Sequence, residues 1–173
     1  EIGNSVFMEY VKTDKGFEKL PKPNVDFGGG LERILVVVND EQDVFKTESF
    51  QPIVKIIEKV SGKKYEESEE VRRSFRVIAD HMRAAVMLAT DGVFPSNKAQ
   101  GYFSRRLVRR AIRYAKMIGI EQPFVGEISK VVGEMYQQPY PEVSKKLEMI
   151  VKVLTEEETK FQRALEKGLK EIE

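Results

Sequence analysis

Cysteine and tryptophan are absent from the 173 residues, and histidine occurs once, at position 81. Without cysteine there is no disulfide and no thiolate zinc site, which fits a cytoplasmic protein. One imidazole disfavours a histidine metal centre. Long apolar runs are also missing. Ile34–Val38 is far too short to span a bilayer, so no membrane partner is expected. No charged stretch followed by an apolar one opens the chain, so no secretory signal is expected. The first residue is Glu1, inside an alternating apolar segment and without Met, and the chain is read as a piece of a longer protein.

What is present fits a soluble globular protein of one domain or a compact pair, with 41% hydrophobic and 33% charged residues. The net charge of +1 hides an asymmetry. From Asn97 to Ile120 lie Lys98, Arg105, Arg106, Arg109, Arg110, Arg113 and Lys116, with no acid. The stretch from Glu156 to Glu173 is mixed and leans acidic.

The period of the apolar residues changes along the chain. Ile2–Val11 and Phe17–Leu20 read as antiparallel strands and Val25–Phe27 as another strand, with turn signals at Lys15-Gly16 and Pro21–Pro23. Leu31–Val38 reads as a helix. After about residue 40 strand signals vanish, and helices are expected over Glu48–Val60, Glu69–Thr90, Lys98–Ile118, Phe124–Tyr136 and Glu142–Glu173. The last carries a stripe from Val143 through Leu169 and Ile172. The expected class is α+β, predominantly α: a short antiparallel β piece followed by a helical bundle.

On a wheel at about 100° per residue, Phe103, Leu107, Val108, Ala111, Ile112, Ala115 and Ile118 fall on one half of the basic helix. The basic residues fall on the other. Arg105–Arg109, Arg106–Arg110 and Arg109–Arg113 are like-charge i,i+4 pairs that repel by about 0.2–0.5 kcal/mol each. No acid is expected to relieve them. An ordinary solvated face usually mixes signs, so a polyanion partner is favoured, and arginine suits bidentate phosphate contacts. Tyr102 lies on the same face, where it can stack or hydrogen-bond. Asn97, just before the helix, is either its N-cap or an amide that meets a base edge.

The stretch "VDFGGGLERI", Val25 to Ile34, joins a strand to a helix through three glycines. It lacks the Lys-Ser/Thr of a Walker loop and the βαβ surroundings of a dinucleotide fold. It is either a glycine-rich turn with an exposed arginine or a backbone that a ligand approaches closely, with Arg33 near phosphate. His81 reads as a packing or hydrogen-bonding residue, and Asp80 can pair with Arg76. Glu156–Glu158 reads as a solvated helix face near Lys160 and not as a metal site.

"VDFGGGLERI" resembles motif 3 of the class II aminoacyl-tRNA synthetases, which ends in Gly-x-Glu-Arg, here Gly30-Leu31-Glu32-Arg33. With "EIGNSVFMEY" (1–10), "LPKPNVDFGGGLERI" (20–34), "RVIADHMRA" (76–84), "DGVFPSNKAQGYFSRRLVRRAIRYA" (91–115) and "EEETKFQRALEKGL" (156–169), the chain is similar to the alanyl branch of that class over its whole length. The resemblance implies that residues 1–40 end a class II catalytic domain and 41–173 form a helical tRNA-recognition domain. It implies that Arg33 is catalytic, gripping the ATP γ-phosphate and flanking the adenine. Asp26 would hold the α-ammonium group of alanine, and Asn4, Val6, Gly28 and Gly30 would line the alanine and adenylate site. Mg²⁺ would come with ATP, with no metal held by the chain itself. Asn97, Tyr102, Arg105, Arg106, Arg109, Arg110 and Arg113 would meet the acceptor stem of alanine tRNA, whose G·U pair exposes its edge in a shallow minor groove.

Motifs 1 and 2 of such enzymes precede this region. The implied activity therefore needs the rest of the parent polypeptide, and the chain alone is expected to be inactive. The alternative is a non-catalytic tRNA-binding module derived from a synthetase. Departures from the family pattern are Gly3 for a frequent tryptophan, Phe27 and Gly29 within motif 3, and Gln100 for an arginine.

Overall fold

A computed structural model describes residues 1–170. These form strands β1 (Gly3–Thr13) and β2 (Gly16–Gly29), then helices α1 (Leu31–Val38), α2 (Gln51–Ser61), α3 (Glu69–Thr90), α4 (Ala99–Met117), α5 (Val125–Tyr136) and α6 (Pro141–Lys170). The class is α+β and predominantly α, as the change of period predicts. The side chain of Leu169, and Ile172 with the expected helix end at Glu173, lie outside the described residues. Two compact units are formed, Glu1–Ser49 and Phe50–Glu173. No described helix is long and apolar enough to cross a membrane.

In the first unit β1 and β2 form an antiparallel hairpin. It turns at Asp14-Lys15 and closes on Gly16, whose φ of +113° an L side chain rarely adopts. Thr13 Oγ1 donates to the Gly16 carbonyl at 3.1 Å. The expected break at Pro21–Pro23 does not occur, and β2 runs through it. Tyr10 pairs with Lys19 and Met8 with Asn24, so Leu20–Pro23 all lie opposite Glu9. Proline has no N–H to give a ladder, and the strand absorbs both prolines as an irregularity instead of ending. Helix α1 begins without a side-chain cap at Gly30, whose N–H donates to the Ile2 carbonyl at 3.0 Å. Phe7, Phe17, Phe27 and Val38 are exposed.

The second unit is built around α3, which packs against α2, α4, α5 and α6. Phe75, Ile78, Ala79, Met82, Ala85, Val86 and Ala89 are fully buried along it. Each large side chain among them contributes about 1.5–3 kcal/mol on burial. Ser68 starts α3, its side chain accepting from the Val71 N–H at 3.2 Å, and Glu69 and Glu70 complement the positive end. No basic residue stands in its last turn; Lys146 of α6 donates to the Thr90 carbonyl at 2.7 Å and supplies the cation.

Helix α2 begins three residues later than expected. Phe50 is its N-cap and Pro52 lies in the first turn, where a missing N–H costs nothing. Gly62 ends it in the left-handed region, φ +68°. Phe103, placed on the apolar half of α4 by the wheel, is 63% exposed and sits edge-on to Tyr102. A wheel gives direction only; burial depends on what lies in that direction.

Helix α5 also lacks a side-chain cap of its own, because Phe124 occupies the N-cap. Glu158 of α6 takes the role. Its Oε1 accepts from the Phe124 N–H at 3.0 Å and the Val125 N–H at 3.4 Å. Burial is the largest influence on this carboxyl and pushes it above the ordinary glutamate range, while the two N–H donors pull it back. The native state therefore holds the Glu158 proton more tightly than the unfolded chain does. Its contribution is greatest at low pH and is lost as pH rises through the raised native value. We expect Glu158→Gln, which keeps an accepting oxygen without charge, to retain stability at pH 8 and flatten this part of the pH dependence. Glu158→Ala orphans two N–H groups and should cost about 1–3 kcal/mol. Thermal melts from pH 4 to 8 test both; equal losses in the two variants would contradict the capping role.

Candidate functional site

The hairpin register decides which side chains share a face. Asn4 is opposite Gly28 and Val6 is opposite Asp26. Directly opposed residues in an antiparallel pair point the same way, and alternate residues along a strand share a side. Asn4, Val6, Asp26 and Gly28 thus lie on one face, with opposed Cβ atoms about 4.5–5.5 Å apart. A Cβ built on Gly28 meets nothing within 4 Å, so the backbone there is open to a close-lying ligand.

The other face carries Gly3, Ser5, Phe7, Val25, Phe27 and Gly29. A Cβ on Gly3 would meet the Phe27 ring at 2.8 Å, and one on Gly29 would meet it at 3.1 Å. The Phe27 ring occupies the space over both glycines. The departures at positions 3, 27 and 29 therefore belong to one packing arrangement. Gly30 and Arg33 follow at the start of α1. A Cβ on Gly30 would lie 3.2 Å from Arg33 Cδ, so glycine lets the arginine stem fold back over the backbone. Arg33 Nη1 donates to the Glu1 carbonyl at 3.1 Å, and the side chain is exposed.

On α4 the arginines are not equivalent. Arg106, Arg110 and Arg113 are exposed, whereas Arg105 and Arg109 are partly buried against α6. Arg109 Nε donates to Glu157 Oε1 at 2.6 Å, and Arg105 Nε lies 3.4 Å from the same oxygen. The Glu157 side chain is only 4% exposed. The guanidinium of Arg109 also lies 5.0 Å from the Phe161 ring centroid. The expectation that no acid relieves the like-charge pairs is corrected for Arg105–Arg109 and for Arg109 of Arg109–Arg113: Glu157, 48 residues past Arg109, does so. Glu156 alone keeps the expected solvated place, 3.9 Å from Lys160, while Glu157 and Glu158 are buried.

The five arginines, with Tyr102, Tyr114 and Phe161, line one groove of about 470 Å³. Sequence reasoning missed Tyr114, Phe161 and Glu157. Arg110 and Arg113 lie 5.7 and 5.8 Å from the Tyr114 ring centroid. The hydrogen bond from Arg110 holds the Tyr114 phenol below the ordinary tyrosine range; the charges of Arg73, Arg110 and Arg113 add to this, against desolvation. Spacing from Arg110 is a usable local signal for Tyr114. Glu157 and Phe161 have none, since only the fold brings α6 to α4.

Asn97 is not the helix cap. That position is Lys98, which makes no capping bond. Ser96 organises the loop: its hydroxyl accepts from the Lys98 N–H at 3.3 Å, and its N–H donates to the Gly101 carbonyl at 2.9 Å. A Cβ on Gly101 would fall 2.1 Å from Ser96 Oγ and 2.6 Å from the Phe94 carbonyl, so only glycine lets the loop close onto α4. Ala99 beside it holds φ +46°. Asn97 is exposed, and its Oδ1 accepts from Arg105 Nη1. The structure thereby joins Asn97 to the groove.

His81 hydrogen-bonds through Nδ1 to Asp80 Oδ2 at 2.8 Å. That bond, then the charges of His81, Arg83 and Arg110, holds the Asp80 carboxyl below the usual range against burial. Arg76 Nε donates to the Tyr65 hydroxyl at 2.8 Å. Among the described residues no group of three His, Cys, Asp or Glu side chains converges to hold a metal.

The family model described as "tRNA synthetases class II (A)" matches residues 1–173. The alanine–tRNA ligase of Geobacillus thermodenitrificans is 43% identical over 170 residues, 98% of this chain and 19% of that protein. That of Halalkalibacterium halodurans is 44% identical over 174 residues, 100% of this chain and 20% of that protein. That of Anaeromyxobacter sp. is 44% identical over 177 residues, 100% of this chain and 19% of that protein. The chain thus spans about a fifth of the length of the curated relatives it matches. With a family match from its first residue to its last, the chain belongs to the class II (A) tRNA synthetases.

Proposed function

We propose that this chain is the motif 3 and acceptor-stem-recognition part of an alanine–tRNA ligase that works in the cytoplasm. The observation that carries the reading is the register placing Asn4, Val6, Asp26 and Gly28 on one face. Such a face suits alanine. A carboxylate at Asp26 meets the α-ammonium group, and Val6 with bare glycine backbone leaves room for a methyl side chain. Larger side chains are excluded by clash; glycine and serine are rejected poorly, which calls for editing elsewhere in the parent polypeptide.

Arg33 supplies a fixed cation for the γ-phosphate of ATP, and Mg²⁺ accompanies the nucleotide. In the reaction a carboxylate oxygen of alanine attacks the α-phosphorus, and pyrophosphate leaves. A hydroxyl of the terminal ribose of alanine tRNA then attacks the activated carbonyl and displaces AMP. No residue here forms a covalent intermediate. These side chains work by orientation and charge. Motifs 1 and 2 must be supplied by the rest of the polypeptide, so the 173 residues alone do not form adenylate.

The groove on α4 suits the acceptor stem. Its exposed arginines meet phosphates, and Asn97 at its mouth reaches a base edge from the minor groove.

Two outcomes are expected. In the full-length polypeptide, Asp26→Asn should raise KM for alanine about 10- to 100-fold in ATP–pyrophosphate exchange, the worth of a charge-assisted hydrogen bond. An unchanged alanine KM would remove Asp26 from the site. In direct binding, an acceptor-stem duplex carrying G·U should be preferred over one carrying G·C, and Asn97→Ala should abolish the preference. Binding that responds to salt but never to the base pair would reduce the groove to a phosphate platform.

A further inference from the structure

The puzzle in the groove is the acid beneath it. A carboxylate among arginines repels the phosphates that the arginines attract. An exposed glutamate there would be weakly held and readily displaced by RNA. Glu157 is different, because its side chain is 4% exposed and touches two guanidinium groups. Taking one partner from a buried pair leaves an uncompensated charge, so Arg109 does not leave Glu157 to meet a phosphate. Arg109 is held from two sides, by the carboxylate at 2.6 Å and by the Phe161 ring at 5.0 Å. Arg105 is held by Glu157 at its Nε side and by the Asn97 carbonyl at Nη1.

We infer that Glu157 is a positioning residue for base-pair recognition. It fixes Arg105 and Arg109 as the floor of the groove, and through Arg105 it sets the direction of the Asn97 amide. The inference deepens the reading of the groove as an RNA surface and rests on it. The division of labour follows from the geometry. Arg106, Arg110 and Arg113 bind phosphate, while Arg105 and Arg109 orient. With its carbonyl directed at Arg105, Asn97 keeps its two N–H donors for an acceptor on a base edge.

Charge and position make opposite predictions for Glu157→Gln, which makes the test sharp. If Glu157 only diluted the positive field, its loss would tighten binding to every duplex alike. If it positions, affinity for the G·C duplex holds or rises, the salt dependence steepens by about one phosphate contact, and the G·U preference falls towards unity. Glu157→Asp keeps the charge and shortens the reach. It should lose the preference with the salt dependence unchanged, and it serves if the glutamine variant folds poorly.

A readout free of RNA accompanies both, made on the full-length chain. Arginine labelling by phenylglyoxal, mapped by mass spectrometry, should be at least fivefold slower at Arg105 and Arg109 than at Arg106, Arg110 and Arg113. That contrast should vanish in Glu157→Gln. Retention of full G·U preference by both variants overturns the inference, as does uniform labelling in the wild type. A wild-type chain that binds neither duplex overturns the RNA reading itself, and does so before any variant is compared.

Discussion

Two neighbouring carboxylates on α6 hold the helical unit together in ways that neither could alone. Successive residues on a helix are turned by about 100°, so Glu157 and Glu158 face different partners. Glu158 closes the N-terminus of α5. Glu157 meets the arginines of α4. Earlier on the same helix, Lys146 closes the C-terminus of α3. Each contact answers an electrical need that the receiving helix cannot meet from its own sequence: an uncapped start, a run of cations, an end without a base. Burial makes these contacts matter, because in water they would be worth little. Helix α6 is therefore fixed in place by polar demands as well as by Val143, Ile150 and Leu154 in the core.

The hairpin depends on a different constraint. A slip of one residue would leave Asn4 and Val6 on one face and put Asp26 and Gly28 on the other. Its two ends are set independently. Gly16 fixes the turn end, and the bond from the Gly30 N–H to the Ile2 carbonyl fixes the other. The irregularity opposite Glu9 lies between them and takes up the difference. The register of Asn4, Val6, Asp26 and Gly28 is thus set where the glycine stretch enters α1.

Much of this was legible in the sequence where the signals are local. Helix α3 has its cap, its acidic first turn and its apolar spacing within its own residues, and its predicted bounds, Glu69–Thr90, are those observed. Helix α1 has no side-chain cap, but its apolar run directly after the glycines, with Glu32 in the first turn, made it legible too. Pro21 and Pro23 misled because proline ordinarily ends a strand, and only pairing with β1 shows it can be accommodated. Phe103 misled because the wheel has no knowledge of neighbours. In the candidate site, the arginines and Asn97 were visible as composition, but their inequality was not. Arg105 and Arg109 differ from Arg106 and Arg110 only through an acid 48 residues past Arg109, and no local pattern encodes that.

The prolines of β2 carry one more consequence. The two strands of the hairpin run for 11 and 14 residues. Two residues without N–H groups, Pro21 and Pro23, flank Lys22 midway along β2 and give a neighbouring strand no backbone donor at those points. The same irregularity that reconciles two registers thus also limits the length over which β2 can form an unbroken ladder.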